Sequence, residues 1–124
     1  VDFTGSPDLF PINGTKQNIV SITMQGTRDR DFTKAFKAAG ISKNEAIGYT
    51  WHHVDDFDPA TGRTTMQLVK TSAHEAIFPH KGSVSQFEKY FGVKYGSQEA
   101  IAVSHSKGWL KGCVPKKLRA NCHH

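Results

Sequence analysis

Between Asn18 and Met24 the apolar side chains fall on every second residue, so Val20, Ile22 and Met24 share one face. A period of two predicts a strand with one buried side, and Gly26 ends it. The period then changes: Phe32, Ala35, Phe36 and Ala39 stand at i, i+3, i+4 and i+7. That apolar stripe predicts a helix over 32–39, with Asp31 as its cap and Gly40 as its stop. Ser42-Lys43-Asn44-Glu45 has capping-box spacing and predicts a short turn of helix, closed by Gly48.

The next stretch, 49–54, reads as a strand. Asp58-Pro59-Ala60-Thr61-Gly62 is turn chemistry, and Thr64 to Val69 returns with Met66 and Leu68 alternating. Together they predict a hairpin with a long acidic loop. Ser72 and Glu75 suggest a second capping box, opening a helix that carries His74 and is limited by Pro79. Lys81-Gly82-Ser83 is a turn, and Val84, Phe87 and Phe91 form the inward face of a helix over 84–91. Beyond Gly92 the signal weakens: 99–103 fits helix or strand, and Trp109 and Leu110 are expected to pin the tail to the body. Residues 1–16 are rich in Pro, Gly and Asp and predict an irregular arm docked through Phe3, Leu9 and Phe10. No repeat and no long linker divides the chain, so residues 1–124 are expected to form one domain of α+β class.

Composition narrows the class. The chain has 124 residues, 37% of them hydrophobic, and a mean hydropathy of -0.48, as for a soluble globular protein. No apolar run approaches the ~18 residues of a membrane span. The opening Val-Asp-Phe-Thr-Gly has neither the basic nor the apolar region of a signal peptide and no initiator Met, which suggests a domain released from something longer. Charge is uneven. Through Glu99, eleven Lys and Arg balance eleven Asp and Glu, so the net +5 comes from Lys107, Lys111, Lys116, Lys117 and Arg119. A basic tail on a balanced body suits an anionic partner, either a nucleic acid or an acidic protein covering the same face, although a solvated tail accounts for it equally well. Cys113 and Cys122 lack zinc-type spacing and decide nothing about redox compartment.

The chemistry concentrates in the histidines. Of seven, four fall in one window: His52, His53, His74 and His80. In strand, strand, helix order they suit a one-metal site facing a general base. Adjacent strand residues point to opposite faces, so His52 and His53 do not both bind one ion in regular geometry. One holds the metal while the other faces along the groove, or a bulge brings both in. Phosphodiester hydrolysis asks for that division: one group holds the metal, another deprotonates water. A single His on a half-buried strand is usually a packing residue; four so close together are not so easily explained.

Gly48-Tyr49-Thr50-Trp51-His52-His53, Met66-Gln67-Leu68-Val69, His74 and His80-Lys81-Gly82-Ser83-Val84 resemble the WHH branch of the HNH/endonuclease VII (His-Me finger) nucleases. Gly5-Ser6-Pro7-Asp8-Leu9 and Gly26-Thr27-Arg28-Asp29-Arg30-Asp31-Phe32 are similar to that family's lead-in. The resemblance implies a ββα-metal hairpin–helix core over 48–92, an N-terminal strand and helix as support, and a basic C-terminal flank. It implies one divalent ion (Zn, Mg, Mn or Ni) on His52, His74 and His80, with His53 as general base. The family's Asn on the second strand, which orients the base, is absent; Thr65 or Gln67 stands nearest. His74 and His80 are separated by five residues, where colicin-type relatives have three.

The resemblance also implies a setting. Such domains sit at the C-terminus of large bacterial polymorphic toxins, are delivered into the cytoplasm of a competing cell, and are neutralised by a cognate immunity protein, here expected to be acidic. Arg28 and Arg30 are candidates to clamp the scissile phosphate, with a surface ion pair to Asp29 or Asp31 as the ordinary explanation. Lys81, Lys107, Lys111, Lys116, Lys117 and Arg119 are candidate nucleic-acid contacts. Asp55, Asp56 or Asp58 would fix a ligand tautomer if any of them reaches one; a solvated loop is the simpler reading. Trp51 reads as core rather than a base-stacking platform, and His105 as surface. DNA is favoured as the substrate, with little sequence preference. The alternatives are an RNase using His chemistry without metal, and a non-catalytic zinc-stabilised module that binds nucleic acid.

Overall fold

The computed structural model describes residues 2–77 and 82–110. Its elements run β1 (Ile19–Thr23), α1 (Arg28–Ala39), β2 (Tyr49–His53), β3 (Arg63–Lys70), α2 (Thr71–Ala76), α3 (Ser83–Phe91) and α4 (Gln98–Ser106). The three strands form one antiparallel sheet in the order β1-β3-β2. The predicted α+β class holds, and so does the strand, strand, helix succession.

β3 is the centre of the sheet, long enough to pair with β1 over its first half and with β2 over its second. The arm fills the gap beside that second half. Leu9 bridges to Val69, the Phe10 amide donates to the Leu68 carbonyl, and the Lys70 amide donates to the Asp8 carbonyl. Docking of the arm through Leu9 and Phe10 is therefore as the sequence predicts.

Alternation decides which face is buried. Val20 and Ile22 of β1, Met66 and Leu68 of β3 and Trp51 of β2 join Ala35 and Ala39 of α1 in one core, with Phe32 and Phe36 packed against it. A second cluster holds Met24, Val84, Phe87, Tyr95 and Ala100, with Phe57 and Trp109 against it. The expected pinning by Trp109 is seen: its ring lies 6.1 Å from Phe57 and 5.9 Å from Phe91.

Three local expectations are corrected. α1 begins a turn earlier than the stripe suggests, because Thr27 and not Asp31 is its cap, accepting from the Arg30 amide at 3.2 Å. Ser42 and Glu45 do exchange backbone-to-side-chain bonds, but they close turns over 43–48 and not a helix. The second capping box does not form, since β3 runs directly into α2 with Lys70 at the cap position and no side-chain cap bond. The weak stretch after Gly92 resolves as helix α4, capped by Ser97 onto the Ala100 amide.

Gly26 sits where α1 and α4 approach each other. Its φ is +92°, and an added Cβ would lie 2.9 Å from the Ala100 carbonyl oxygen and 2.9 Å from the Ile101 Cα. Both obstacles are backbone, so neither moves cheaply. Gly26→Ala is expected to cost more than ~2 kcal/mol, from left-handed strain plus the clash, read as a lower midpoint in urea unfolding.

Candidate functional site

Along β2 successive side chains alternate, so His52 and His53 diverge. The register sets His52 opposite Gln67 and His53 opposite Met66. His53 therefore shares the α1 side of the sheet with Trp51. Its ring centre lies 6.0 Å from that of Phe32, and Trp51 meets Phe36 edge-on at 5.5 Å. His52 turns to the other face, fully buried, with the Phe3 ring edge-on at 5.2 Å and the His74 ring at 5.6 Å.

A cleft of about 560 Å³ opens where α1, β2, α2 and the start of α3 meet. Arg28, His53, His74 and Glu75 bring polar chemistry to it, beside the Thr50 and Thr71 hydroxyls, which are 2.8 Å apart. Gly82, Val84 and Ser85 close one side. The structure thus brings His53 and His74 to one space, with His74 also against His52. Glu75, expected only as a capping residue, lines the cleft instead.

His53 is held from behind. Its Nε2 is 2.9 Å from Oδ2 of Asp31, a carboxylate with no exposed surface. The Tyr95 hydroxyl donates to the same oxygen at 2.5 Å, and the Gln25 amide donates to Oδ1 at 2.7 Å. The Tyr95 oxygen in turn accepts from the Gly26 amide at 3.0 Å. Burial, and then the neighbouring Asp31 charge, push the Tyr95 phenol well above its usual range, so it stays a donor. With the tyrosine and the amide both donating, Asp31 acts as an acceptor. The network assigns the proton of neutral His53 to Nε2 and leaves the lone pair on Nδ1.

Asp31 and Tyr95 are the residues that reading the sequence missed. One signal for Asp31 was available. It stands four residues before Ala35 and eight before Ala39, and all three are buried on α1. A carboxylate in register with an apolar stripe needs an internal partner. Tyr95 lies 64 residues from Asp31 and carries no comparable mark.

The other candidates are distributed as follows. Arg28 lines the cleft, whereas Arg30 lines a neighbouring concavity with Lys34 and Lys37. Neither is in an ion pair among the described residues, so the surface-pair explanation finds no support there. Gln67 does not reach His53. Its amide donates to Asp2 and Thr4, and its oxygen accepts from the Phe3 amide, which ties the arm over His52. Thr65 is occupied by Asp56, which also takes the Thr64 hydroxyl, and Asp58 shapes the turn through Ala60. These acids organise the hairpin loop. Lys107 is exposed just past α4, with its ammonium 5.9 Å from the Phe91 ring centre. His80, Lys81, Lys111, Lys116, Lys117, Arg119 and both cysteines lie outside the described residues.

Among the described residues no three His, Cys, Asp or Glu side chains converge to hold a metal ion. Two of the three candidate ligands are described, and their spacing suits the role. With metal–nitrogen bonds of ~2.1 Å, two imidazoles on one ion have ring centres roughly 5–6 Å apart. The 5.6 Å between His52 and His74 falls in that range.

Residues 43–90 match the family model WHH, described as a nuclease of the HNH/ENDO VII superfamily with conserved WHH. The match covers the segment with Trp51, His52, His53 and His74, and there it bears out the resemblance drawn from those residues. It begins downstream of Asp31 and ends before Tyr95. No curated protein and no solved structure matches the chain.

Proposed function

From a nuclease-family match on the segment that carries the histidines, we propose that this chain is a metal-dependent endonuclease with a ββα-metal core made by β2, β3 and α2. One observation supports it above the rest: His53, backed by buried Asp31, lines the same cleft as His74, whose ring meets His52. On this reading the base stands on one side of β2 and the two ligands on the other.

The chemistry of the chain's own residues follows. His53 Nδ1 takes a proton from water as its oxygen attacks phosphorus. The P–O bond to the leaving oxygen breaks, that oxygen takes a proton from solvent, and a phosphomonoester and a free hydroxyl result. Arg28 holds the non-bridging oxygens of the phosphate in the cleft. Arg30, with Lys34 and Lys37, meets a neighbouring phosphate. His52 and His74, with His80 as the resemblance implies, would hold the divalent ion, which when bound would offset charge growing on the phosphate oxygens.

Contacts of this kind read the backbone and not the bases, so little sequence preference is expected. DNA is the favoured substrate. Lys107, Lys111, Lys116, Lys117 and Arg119 of the basic tail, and Lys81 next to His80 in the sequence, are the candidates for further phosphate contacts. We read residues 1–124 as one toxin domain at the end of a larger polypeptide, delivered into a competitor's cytoplasm and neutralised by an acidic immunity protein. The resemblance and the +5 charge support that setting.

The test is incubation with supercoiled plasmid and with total RNA, each with divalent metal or with EDTA. Plasmid nicking that EDTA stops is expected. RNA loss that persists in EDTA would replace the metal mechanism with a histidine-based one. Metal binding with no cleavage of either would favour a non-catalytic module.

A further inference from the structure

We infer that Asp31, braced by Tyr95, is the positioning residue for the base His53, the place for which the second strand offers no asparagine. The inference rests on the reading of His53 as general base, and its test separates the two.

Four observations carry it. Asp31 has no exposed surface, so its charge is offset by partners and not by water. Its partners are all potential donors: His53 Nε2, the Tyr95 hydroxyl and the Gln25 amide. Thr65 and Gln67, the strand residues nearest the expected place, are committed to Asp56 and to the N-terminal arm. Finally, the contact spans elements: Asp31 belongs to α1, His53 to β2, and Tyr95 to the segment before α4.

The consequence is a fixed tautomer. A neutral imidazole has one N–H, and Asp31 draws it to Nε2. Nδ1 then keeps its lone pair, ready to take the water proton. As that proton arrives the ring becomes a cation, and its positive charge faces the Asp31 carboxylate. Tyr95 keeps Asp31 from rotating away by holding Oδ2, while the Gln25 amide holds Oδ1.

Asp31→Asn tests this with little change of shape. An amide has one donor end, and every atom it would meet here is a donor. If its NH₂ takes the place of Oδ2, His53 relieves the conflict by moving its proton to Nδ1 and accepting at Nε2. The base nitrogen is then capped. Tyr95→Phe removes one brace and leaves the acceptor intact.

The experiment uses the full metal-loaded chain. It combines single-turnover cleavage of a labelled DNA duplex with ¹⁵N NMR of the His53 ring, which distinguishes the two tautomers without any turnover. In the wild type we expect the Nε2–H form. Asp31→Asn is expected to show the Nδ1–H form and a kcat lower by about a hundredfold, with KM changed by less than about threefold. Tyr95→Phe is expected to keep the tautomer and lose about tenfold in kcat. A wild-type ring protonated on Nδ1 would overturn the inference, as would a folded Asp31→Asn protein that cleaves within about threefold of wild type. Should Asp31→Asn not fold, the wild-type tautomer and the Tyr95→Phe rate decide. If His53→Ala cleaved normally, the base reading would fall, while the ring spectrum would still report whether Asp31 sets the tautomer.

Discussion

His53→Ala is expected to slow cleavage by about 10³–10⁴-fold, the upper range for loss of a positioned base, and to leave the protein folded. Both halves follow from where the ring lies. It lines the cleft, so deleting it removes the proposed proton acceptor from that space. Behind it, Asp31 keeps the Tyr95 hydroxyl and the Gln25 amide, and so retains two of its three partners. Losing a hydrogen bond to a buried charge costs roughly 2–3 kcal/mol. Water entering from the cleft recovers part of that. Metal binding should persist, because His52 and His74 meet on the opposite side of β2. Single-turnover cleavage, thermal unfolding and metal titration of the variant check the three statements. A folded, metal-binding variant that still cleaves within about tenfold of wild type would remove His53 as the base.

What the sequence conveyed, and what it withheld, divides along one physical line. Strands β1, β2 and β3 and the helices α1 and α3 were legible because each alternates or stripes its apolar residues within a few positions. The pairing of His52 and His53 on one strand, and their divergence, followed from the same period. The strand-borne histidine and the helix-borne His74 come together as that arrangement implies. Contacts made across long separations were not legible. Asp31 looked like a cap because an acid before an apolar stripe usually is one, yet Thr27 had already capped the helix and freed Asp31 for the interior. Gln67 looked like a candidate partner for the base. Register turns it to the face of His52, where the arm from Asp2 to Thr4 occupies it. Ser72 and Glu75 have the spacing of a cap without the strand-to-coil break a cap needs, since Lys70 ends β3 and Thr71 begins α2. In each case local chemistry was read correctly as a capability, and tertiary geometry chose another use for it.

The second large effect belongs to His52 and His74 as the proposed metal ligands. An ion that binds only the folded protein stabilises it by about 2.7 kcal/mol when present at ~100 times its dissociation constant. For a chain of this size that is a rise in Tm of roughly 10 °C. Wild-type protein should show such a rise with a suitable divalent ion and lose it with EDTA. His52→Ala and His74→Ala should each reduce it strongly, and the double variant should abolish both the rise and detectable cleavage. The two replacements differ in their own cost. His52 is fully buried against Phe3, so its removal also leaves a cavity and lowers the metal-free Tm. His74 is half-buried on a short helix, so its removal should lower the metal-free Tm less than that of His52. That contrast makes His74→Ala the cleaner probe: a loss of metal-dependent stabilisation there cannot be ascribed to a damaged core. If His74→Ala kept the full metal-induced rise, His74 would not be a ligand. The His52–His74 contact would then be packing alone, and cleavage would have to draw its metal from other residues.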